Sequence, residues 1–445
     1  MDVVVGIDAG TTYCKAAVVG VGDRRELAQG RAPTPWRPVP TGHELDPEEL
    51  VGAAAAAVAG ALDGVPDARV AGLGVTSMAE TGVLLGTGGA PLAPAIAWYD
   101  VRGDAEGREL AAAFDEDEFR WRTGLWTSSV ATATKLRWLR GHAPDVVRAG
   151  RCWLNVAEWI VYRLGGRPVA ELSLSCRTGW LDRDRRAWWR DVLEWSGGRE
   201  DLLPELVEAG TPAGVVAGDV LPRARGAVLT VAGHDHFAAA LGAGATRAGD
   251  VFDSCGSAEA FVRALDGVPE RGQVLAAVER GVNVAWHVLP GRRALLGGHR
   301  AGLGLDRVLR LLGAAAGGAA RERLEERAVA LDPPADVRVE GVADERLTIG
   351  GLGWDASPEL VWRAAVEEVA RLDAELLGVL EQVAGPTARV LVAGGWSRSP
   401  SLMAAKRARL GELETVAAAE PGALGAALLA GQAAGVAAAV PGSSS

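Results

Sequence analysis

The run Val3-Val4-Val5-Gly6-Ile7-Asp8-Ala9-Gly10-Thr11-Thr12-Tyr13-Cys14-Lys15-Ala16-Ala17-Val18-Val19 is an apolar strand, a small polar turn and a second apolar strand. The unbroken apolar stretch from Val3 predicts a strand buried on both faces, so Asp8 emerges at its end. A carboxylate there can hold Mg2+ or an ordered water beside a triphosphate. Gly10 permits a tight turn, and Thr11 and Thr12 add backbone N–H groups and hydroxyls suited to phosphate oxygens. On this stretch alone an ordinary hairpin with Asp in its turn reads equally well.

The same device recurs at Val251-Phe252-Asp253-Ser254-Cys255-Gly256-Ser257-Ala258-Glu259-Ala260-Phe261-Val262. Two hairpins that each present a polar turn predict two similar halves closing on a nucleotide from opposite sides. A chain of 445 residues suits two domains. Their boundary is expected within residues 242–249, where small residues can absorb hinge rotation, giving units 1–244 and 245–445.

Composition narrows the partners. A formal charge of -11 and a pI near 5.2 argue against a nucleic-acid footprint, which needs a basic face, and leave a small molecule as the expected ligand. Cys14, Cys152, Cys176 and Cys255 are scattered, with no pair at metal or redox spacing, so a reduced cytoplasmic protein without structural zinc is expected. The first residues enter a strand directly and carry no basic leader. The Ala- and Gly-rich tract 422–440 reads as a buried helix followed by a frayed tail rather than a membrane span. Lysine occurs only at 15, 135 and 406, which reads as genome base composition. A homodimer is left open, since no stretch marks its surface.

Further elements follow from periodicity. A buried strand at 70–76 leads into Ser77-Met78-Ala79-Glu80. Helices are expected at 132–139 and 156–164, joined by a loop at Pro144, and a long amphipathic helix at 359–383 feeds a strand at 389–393. Gly233-His234-Asp235-His236 follows another buried strand, and Asp235 there is either a helix N-cap or a catalytic base. Two histidines without further ligands argue against a metal site. Gly394-Gly395-Trp396-Ser397-Arg398-Ser399 is either a plain strand-to-helix turn or a place where a flat base approaches the backbone. The helix opened by Glu420-Pro421-Gly422 is suited to packing against it. Trp98, Asp100 and Arg102 alternate on what reads as an extended segment, so they form either a polyol-binding plate with charged hydroxyl partners or a core tryptophan beside an ion pair. Glu80 is a second candidate hydroxyl acceptor.

Taken in order, these segments resemble the FGGY carbohydrate kinases along essentially the whole chain. Gly6-Ile7-Asp8-Ala9-Gly10-Thr11-Thr12 matches the first phosphate motif, and Gly74-Val75-Thr76-Ser77-Met78 and Trp98-Tyr99-Asp100-Val101-Arg102 match sugar-facing segments. Ser173-Leu174-Ser175-Cys176-Arg177-Thr178-Gly179 resembles the family's serine-rich hairpin, and Gly233-His234-Asp235 stands where the catalytic aspartate is kept. Cys255-Gly256-Ser257, Gly394-Gly395 and Gly425-Ala426-Ala427 match the second phosphate, adenosine and closing-helix motifs. Departures are Ser257 in place of threonine, Trp396 in place of a third glycine, and Ala79 where relatives carry histidine or arginine.

The resemblance implies an α/β fold of two actin-like (ribonuclease H-like) domains around a central nucleotide and sugar cleft. It further implies an ATP- and Mg2+-dependent kinase with Asp235 as general base and Asp8 and Asp235 near the metal. Gly10, Thr11, Thr12, Lys15, Gly256, Ser257, Gly394, Gly395, Trp396 and Ser399 are expected on the nucleotide. Met78, Glu80, Trp98, Asp100, Arg102, Asp235 and His236 are expected on the substrate. Two carboxylates, Glu80 and Asp100, offset by Arg102 alone point to a neutral ketopentose or ketohexose, with a glycerol- or erythritol-like polyol as the alternative. The opening also looks like that of chaperone ATPases, but 445 residues leave no room for a peptide-binding module. A catalytically silent sugar-binding regulator is disfavoured by the presence of both aspartates.

Overall fold

Two six-stranded sheets carry the molecule, each built on one of the two hairpins. The structure, a computed structural model, describes residues 1–436 apart from 316 and 345. In the first sheet β1 (Asp2–Ala9) and β2 (Tyr13–Gly20) pair antiparallel with Asp8 opposite Lys15, and β3 (Glu26–Pro33) continues outward. On the other side β4 (Arg69–Ser77) runs parallel to β1. The edge strand β5 (Pro212–Val215) and its neighbour β6 (Val228–His234), parallel to β4, complete the order β5-β6-β4-β1-β2-β3.

The second sheet repeats the plan. Its hairpin is β7 (Asp250–Cys255) with β8 (Glu259–Leu265), extended by β9 (Asn283–Trp286) and β10 (Arg293–His299). Parallel strands β11 (Arg389–Ala393) and β12 (Leu413–Thr415) lie on the far side of β7, giving β9-β10-β8-β7-β11-β12. Parallel central strands need both faces covered, which explains why Val3 to Ile7 read as one apolar run rather than an alternation.

Helices supply the cover. α1 (Pro47–Asp63) starts where Asp46 accepts from the Glu48 N–H at 2.8 Å and proline takes the first helical position. With α2 (Val156–Arg163) it sets Leu50, Ala54, Trp159 and Ile160 against Val3, Val5 and Ile7. A single helical turn, α3 (Leu172–Ser175), and then α4 (Asp235–Gly242), which leaves the end of β6, lie toward the second sheet. There α5 (Ala301–Leu311), α6 (Pro358–Ala384) and α7 (Pro400–Leu410) bury Leu305, Trp362 and Leu402 with Val251 and Phe261.

The last helix, α8 (Pro421–Ala433), returns to the first sheet. Its approach is backbone to backbone: a Cβ on Gly6 would fall 1.8 Å from the Ala423 carbonyl oxygen, and one on Gly74 2.3 Å from that of Ala426. Against α4 the fit is as close, since a Cβ on Gly425 would lie 1.9 Å from the Ala238 carbonyl oxygen. So α8 packs on β1, β4 and α4, not against the Gly394-Gly395 turn as its sequence suggested. Among the described residues no helix is long and apolar enough to cross a membrane. The expected tail of Pro-Gly-Ser-Ser-Ser lies outside the described residues.

Three local expectations are corrected. Pro144 opens a helix, Pro144–Ala149, instead of making a loop, because its fixed φ suits the first helical position. The serine-rich segment is helical at Leu172–Ser175, not a hairpin, with the Glu171 carboxylate accepting from the Leu174 N–H at 3.0 Å. Beyond the two-residue strand Ala95–Ile96 the aromatic segment is turns, so strand alternation does not order Trp98, Asp100 and Arg102.

Gly6→Ala tests the close approach. It drives a methyl group into a carbonyl that belongs to a helix packed on both sides, and should cost about 3 kcal/mol of unfolding free energy. Denaturant midpoints of the two proteins measure this, and an unchanged midpoint would mean that α8 does not pack there.

Candidate active site

The carboxyl ends of three neighbouring strands, β1, β4 and β6, open at one place, and the hairpin turn and the start of α4 grow from them. Asp8 closes β1 with its Oδ1 shut off from solvent and without a hydrogen-bond partner among the described residues. Burial pushes its carboxyl well above the usual carboxylate range, and the charge of Asp235 adds to this while Lys15 opposes it. Asp235 carries a raised pKa for the same first reason, burial, reinforced by Glu80. Its Oδ1 accepts from the His236 N–H at 2.7 Å, and His234 rather than Asp235 occupies the N-cap of α4. The capping alternative for Asp235 therefore falls. Burial raises both carboxyls although the Lys15 ammonium opposes the shift of each, and oxygen donors of this kind suit Mg2+.

The turn between β1 and β2 is held from outside. Gly10 N–H donates to the Tyr13 carbonyl at 3.1 Å, the Thr34 hydroxyl to the Gly10 carbonyl at 2.7 Å, and Trp36 Nε1 to the Thr11 carbonyl at 2.6 Å. Thr12 is exposed. Lys15 bonds Glu420 Oε2 at 2.7 Å, so the hairpin is also tied to the residue that precedes α8.

Of the expected substrate residues, Trp98 stands against this turn, its Nε1 donating to Thr11 Oγ1 at 3.0 Å. Asp100 is already satisfied: Arg102 reaches it through Nε at 3.0 Å and Nη2 at 2.9 Å, and through its own backbone N–H at 2.9 Å. Burial alone would push Asp100 up, yet the bonds to Arg102 hold it below the usual range. Glu80, at φ 59°, bonds Arg177 Nε at 2.5 Å. Each of the two carboxylates thus carries its own guanidinium, which overturns the expectation that Arg102 offsets them alone. Met78 is turned into the first core, 2% exposed, and its N–H donates to the Ala9 carbonyl at 3.1 Å. His236 lies beside Asp235, with burial lowering its pKa to about 4, so its imidazole is neutral.

In the second half, Gly256 and Ser257 form the turn of the β7–β8 hairpin, Ser257 exposed. The start of α5 seats on it: Leu303 N–H donates to the Ser257 carbonyl at 3.0 Å, and a Cβ on Gly302 would fall 2.0 Å from the Gly256 carbonyl oxygen. Gly394 needs its φ of 107° and abuts the end of β7, where a Cβ would lie 2.4 Å from the Cys255 carbonyl oxygen. Gly395 is exposed beside it. Trp396 turns away into the core, 6.0 Å from the Trp362 ring and under Arg321, because an indole gains more from burial than from the open turn. Ser399 caps α7 and bonds Glu325 Oε1 at 2.7 Å. Neither faces the opening. An open cleft lined by His299, Arg300, Leu303 and Asp306 lies beside the hairpin instead. Sequence reading passed over it.

Also missed was the scaffold behind Asp235. Glu158 caps α2 by accepting from the Asn155 N–H at 2.7 Å and takes the Glu171 N–H at 2.8 Å. Glu171 Oε2 then accepts from the Ser173 hydroxyl at 2.6 Å, and the Ser173 Oγ in turn accepts from the His234 N–H at 2.9 Å. This buried relay fixes the residue before Asp235. Lys135, pushed down by burial to about 8, donates to the Trp98 carbonyl at 2.9 Å and holds the aromatic segment from behind. Of the residues behind the site, Ser173, Arg177 and His234 stood in the motifs read from the sequence.

Two related six-stranded sheets, each built on a hairpin, have the mixed α/β architecture of sugar kinases with the actin-like ATPase fold. The family description "FGGY family of carbohydrate kinases, N-terminal domain" matches residues 3–242. The chain is 31% identical over 431 residues to the xylulose kinase of Streptomyces rubiginosus, covering 95% of this chain and 86% of that protein. It is 29% identical over 469 residues to the glycerol kinase of Aromatoleum aromaticum, covering 97% and 90%. The crystal structure of xylulose kinase from Rhodospirillum rubrum superposes with a TM-score of 0.87 at 26% identity, over 98% of this chain and 92% of that one. The chain belongs to the FGGY family of carbohydrate kinases, and membership implies use of ATP.

The relay makes stability depend on pH. Burial raises Glu158 from 4.5 to about 8 and Glu171 to about 7. Because the folded pKa exceeds the unfolded one, their stabilising contribution is complete below the unfolded value and is lost as pH rises through the folded values. The thermal midpoint should therefore fall between about pH 5 and about pH 9, and Glu158→Gln should flatten that fall. A midpoint that is level across this window in the wild-type protein would contradict the burial of these carboxyls.

Proposed function

We propose that the chain transfers the γ-phosphoryl group of ATP to a hydroxyl of a small neutral sugar, a ketopentose or ketohexose, with a polyol as the second reading. The observation that carries this is the pair of desolvated carboxyls, Asp8 and Asp235, at the ends of β1 and β6 on either side of β4. In-line transfer asks the protein for positioning and charge neutralisation more than for covalent chemistry. Asp235, raised toward neutrality, is matched to accept the proton of the attacking hydroxyl. Asp8 offers its unpartnered Oδ1 to Mg2+, which when bound neutralises charge on the phosphates. The turn Gly10-Thr11-Thr12 receives the phosphates from one side and Gly256-Ser257 from the other, and the cleft beside α5 and Gly394-Gly395 takes the nucleoside.

Trp98 covers a C–H face of the sugar, while Glu80 and Arg177 together present an acceptor and donors to neighbouring hydroxyls. The relatives named xylulose kinase and glycerol kinase act on neutral molecules, which agrees with a site whose guanidinium groups are already paired. Closure of two units that divide near residues 242–249, with α8 moving as part of the first, would exclude water during transfer.

A coupled assay of ADP release over D-xylulose, D-ribulose, glycerol, erythritol and gluconate tests the reading. The largest stimulation is expected with a ketose; preference for glycerol or erythritol selects the polyol reading, and preference for gluconate overturns both. Asp235→Asn should lower kcat by about a hundred-fold or more while the protein keeps its fold, since α4 is not capped by this side chain. At limiting sugar the acid limb of kcat/KM should lie above the ordinary aspartate value of about 3.9, because the base must first lose a proton held by burial. Wild-type turnover in the Asn variant would remove Asp235 from the mechanism.

A further inference from the structure

Only three lysines stand among the 46 basic side chains of this chain, and none lies on an open surface. Lys15 is two-thirds buried against Glu420, Lys135 is 3% exposed, and Lys406 is 0% exposed. A lysine buried among carboxylates supplies a compact ammonium whose three donors can serve several partners at once, which the planar fork of arginine supplies less readily. Lys406 on α7 is the extreme case. Its Nζ reaches Asp253 Oδ2 on β7 at 2.5 Å, Glu259 on β8, Asp373 Oδ2 on α6 at 3.2 Å and Cys255 Sγ at 3.1 Å.

The partners are not arbitrary. Asp253 and Cys255 point to one face of β7, and Glu259 faces Cys255 across the hairpin, so one ammonium grips both strands immediately before and after the Gly256-Ser257 turn. The grip continues outward. His299 is paired with Glu259 on β10, bonds Asp373 Oδ1 at 2.8 Å through Nε2, and accepts at Nδ1 from the Ala301 N–H at 3.4 Å, where α5 begins. Both segments beside the candidate nucleotide cleft, the turn and the start of α5, are thus tied to one buried charge cluster. His299 is the member of the cluster that lines this cleft, while Lys406, Asp253, Glu259 and Asp373 are buried behind it.

We propose that Lys406 is a positioning residue for the second phosphate turn, holding its two strands to α6 so that the Gly256 and Ser257 backbone meets the nucleotide in one geometry. The inference rests on the reading of that turn as a phosphate site. It differs from plain structural support in one respect: its loss acts on nucleotide affinity and not on the first half, where the sugar residues lie.

The test is calorimetric titration of the full chain with MgADP and with a magnesium complex of a non-hydrolysable ATP analogue, beside sugar titrations. Lys406→Met removes the charge but strands three buried carboxylates and can fail to fold. Asp373→Asn is the second variant, since it loosens the tether from α6 while relieving the excess of negative charge. Both should weaken nucleotide binding, the first by about ten-fold or more and the second by a few-fold, with sugar affinity within about two-fold of wild type. Folded Asp373→Asn with unchanged nucleotide affinity would overturn the proposal, as would equal losses for nucleotide and sugar. A wild-type chain that binds no nucleotide would instead bring down the functional reading, and this proposal with it.

Discussion

The contact between the last helix and the first strand is the constraint on which the rest of the molecule depends. Gly6 and Ala423 meet backbone to backbone, so no side chain separates α8 from β1. That proximity sets Gly422 against Asp8, where a Cβ would lie 2.6 Å from the carboxylate Oδ2, and sets Glu420 on Lys15. Burial of Asp8, which raises its pKa, is a consequence of a helix some four hundred residues away in the chain. Close packing of small residues here takes the place of large apolar area: interior atoms gain dispersion contacts only where they touch.

The two halves repeat a topology yet stabilise their hairpins by different means. In the first, neutral donors hold the turn, with Thr34, Trp36 and Trp98 bonding its carbonyls and hydroxyl. In the second, a buried ammonium among three carboxylates grips the strands below the turn. Buried charge of this kind is costly to desolvate and adds little net stability compared with apolar packing. What it supplies is direction, since an ammonium satisfied by three carboxylates fixes all of them at once.

Asp253 shows the balance in that cluster. Burial raises it to about 7 although Lys406 and its hydrogen bond oppose the shift. His299 is raised: burial works against its protonation, but the bond to Asp373 and the charges of Glu259 and Asp373 together outweigh it and the imidazole is more basic than usual. Three carboxyls are thereby met by one ammonium and by the hydrogen bond from His299 Nε2, with burial favouring the protonated form of Asp253, which is how the interior tolerates so many ionisable groups.

Much of the fold was legible in the chain because it rests on local rules. Apolar runs at Val3 to Ile7 and Val251 to Val262 marked both hairpins, and the 3.6-residue period marked α6 almost to its ends. Asp8 and Asp235 could be singled out by the motifs they stand in taken together, since each alone also read as an ordinary turn or cap residue. The sequence could not say where side chains point once the backbone leaves a regular period. Trp98, Asp100 and Arg102 lie on turns, Trp396 and Ser399 turn inward, and Arg177 answers Glu80 from nearly a hundred residues away. The scarcity of lysine was visible from the start but looked like composition, because burial is a property of the tertiary structure. Periodicity and strand ends are properties of neighbours in sequence; charge pairing, desolvation and backbone contact are properties of neighbours in space, and only the folded chain decides those.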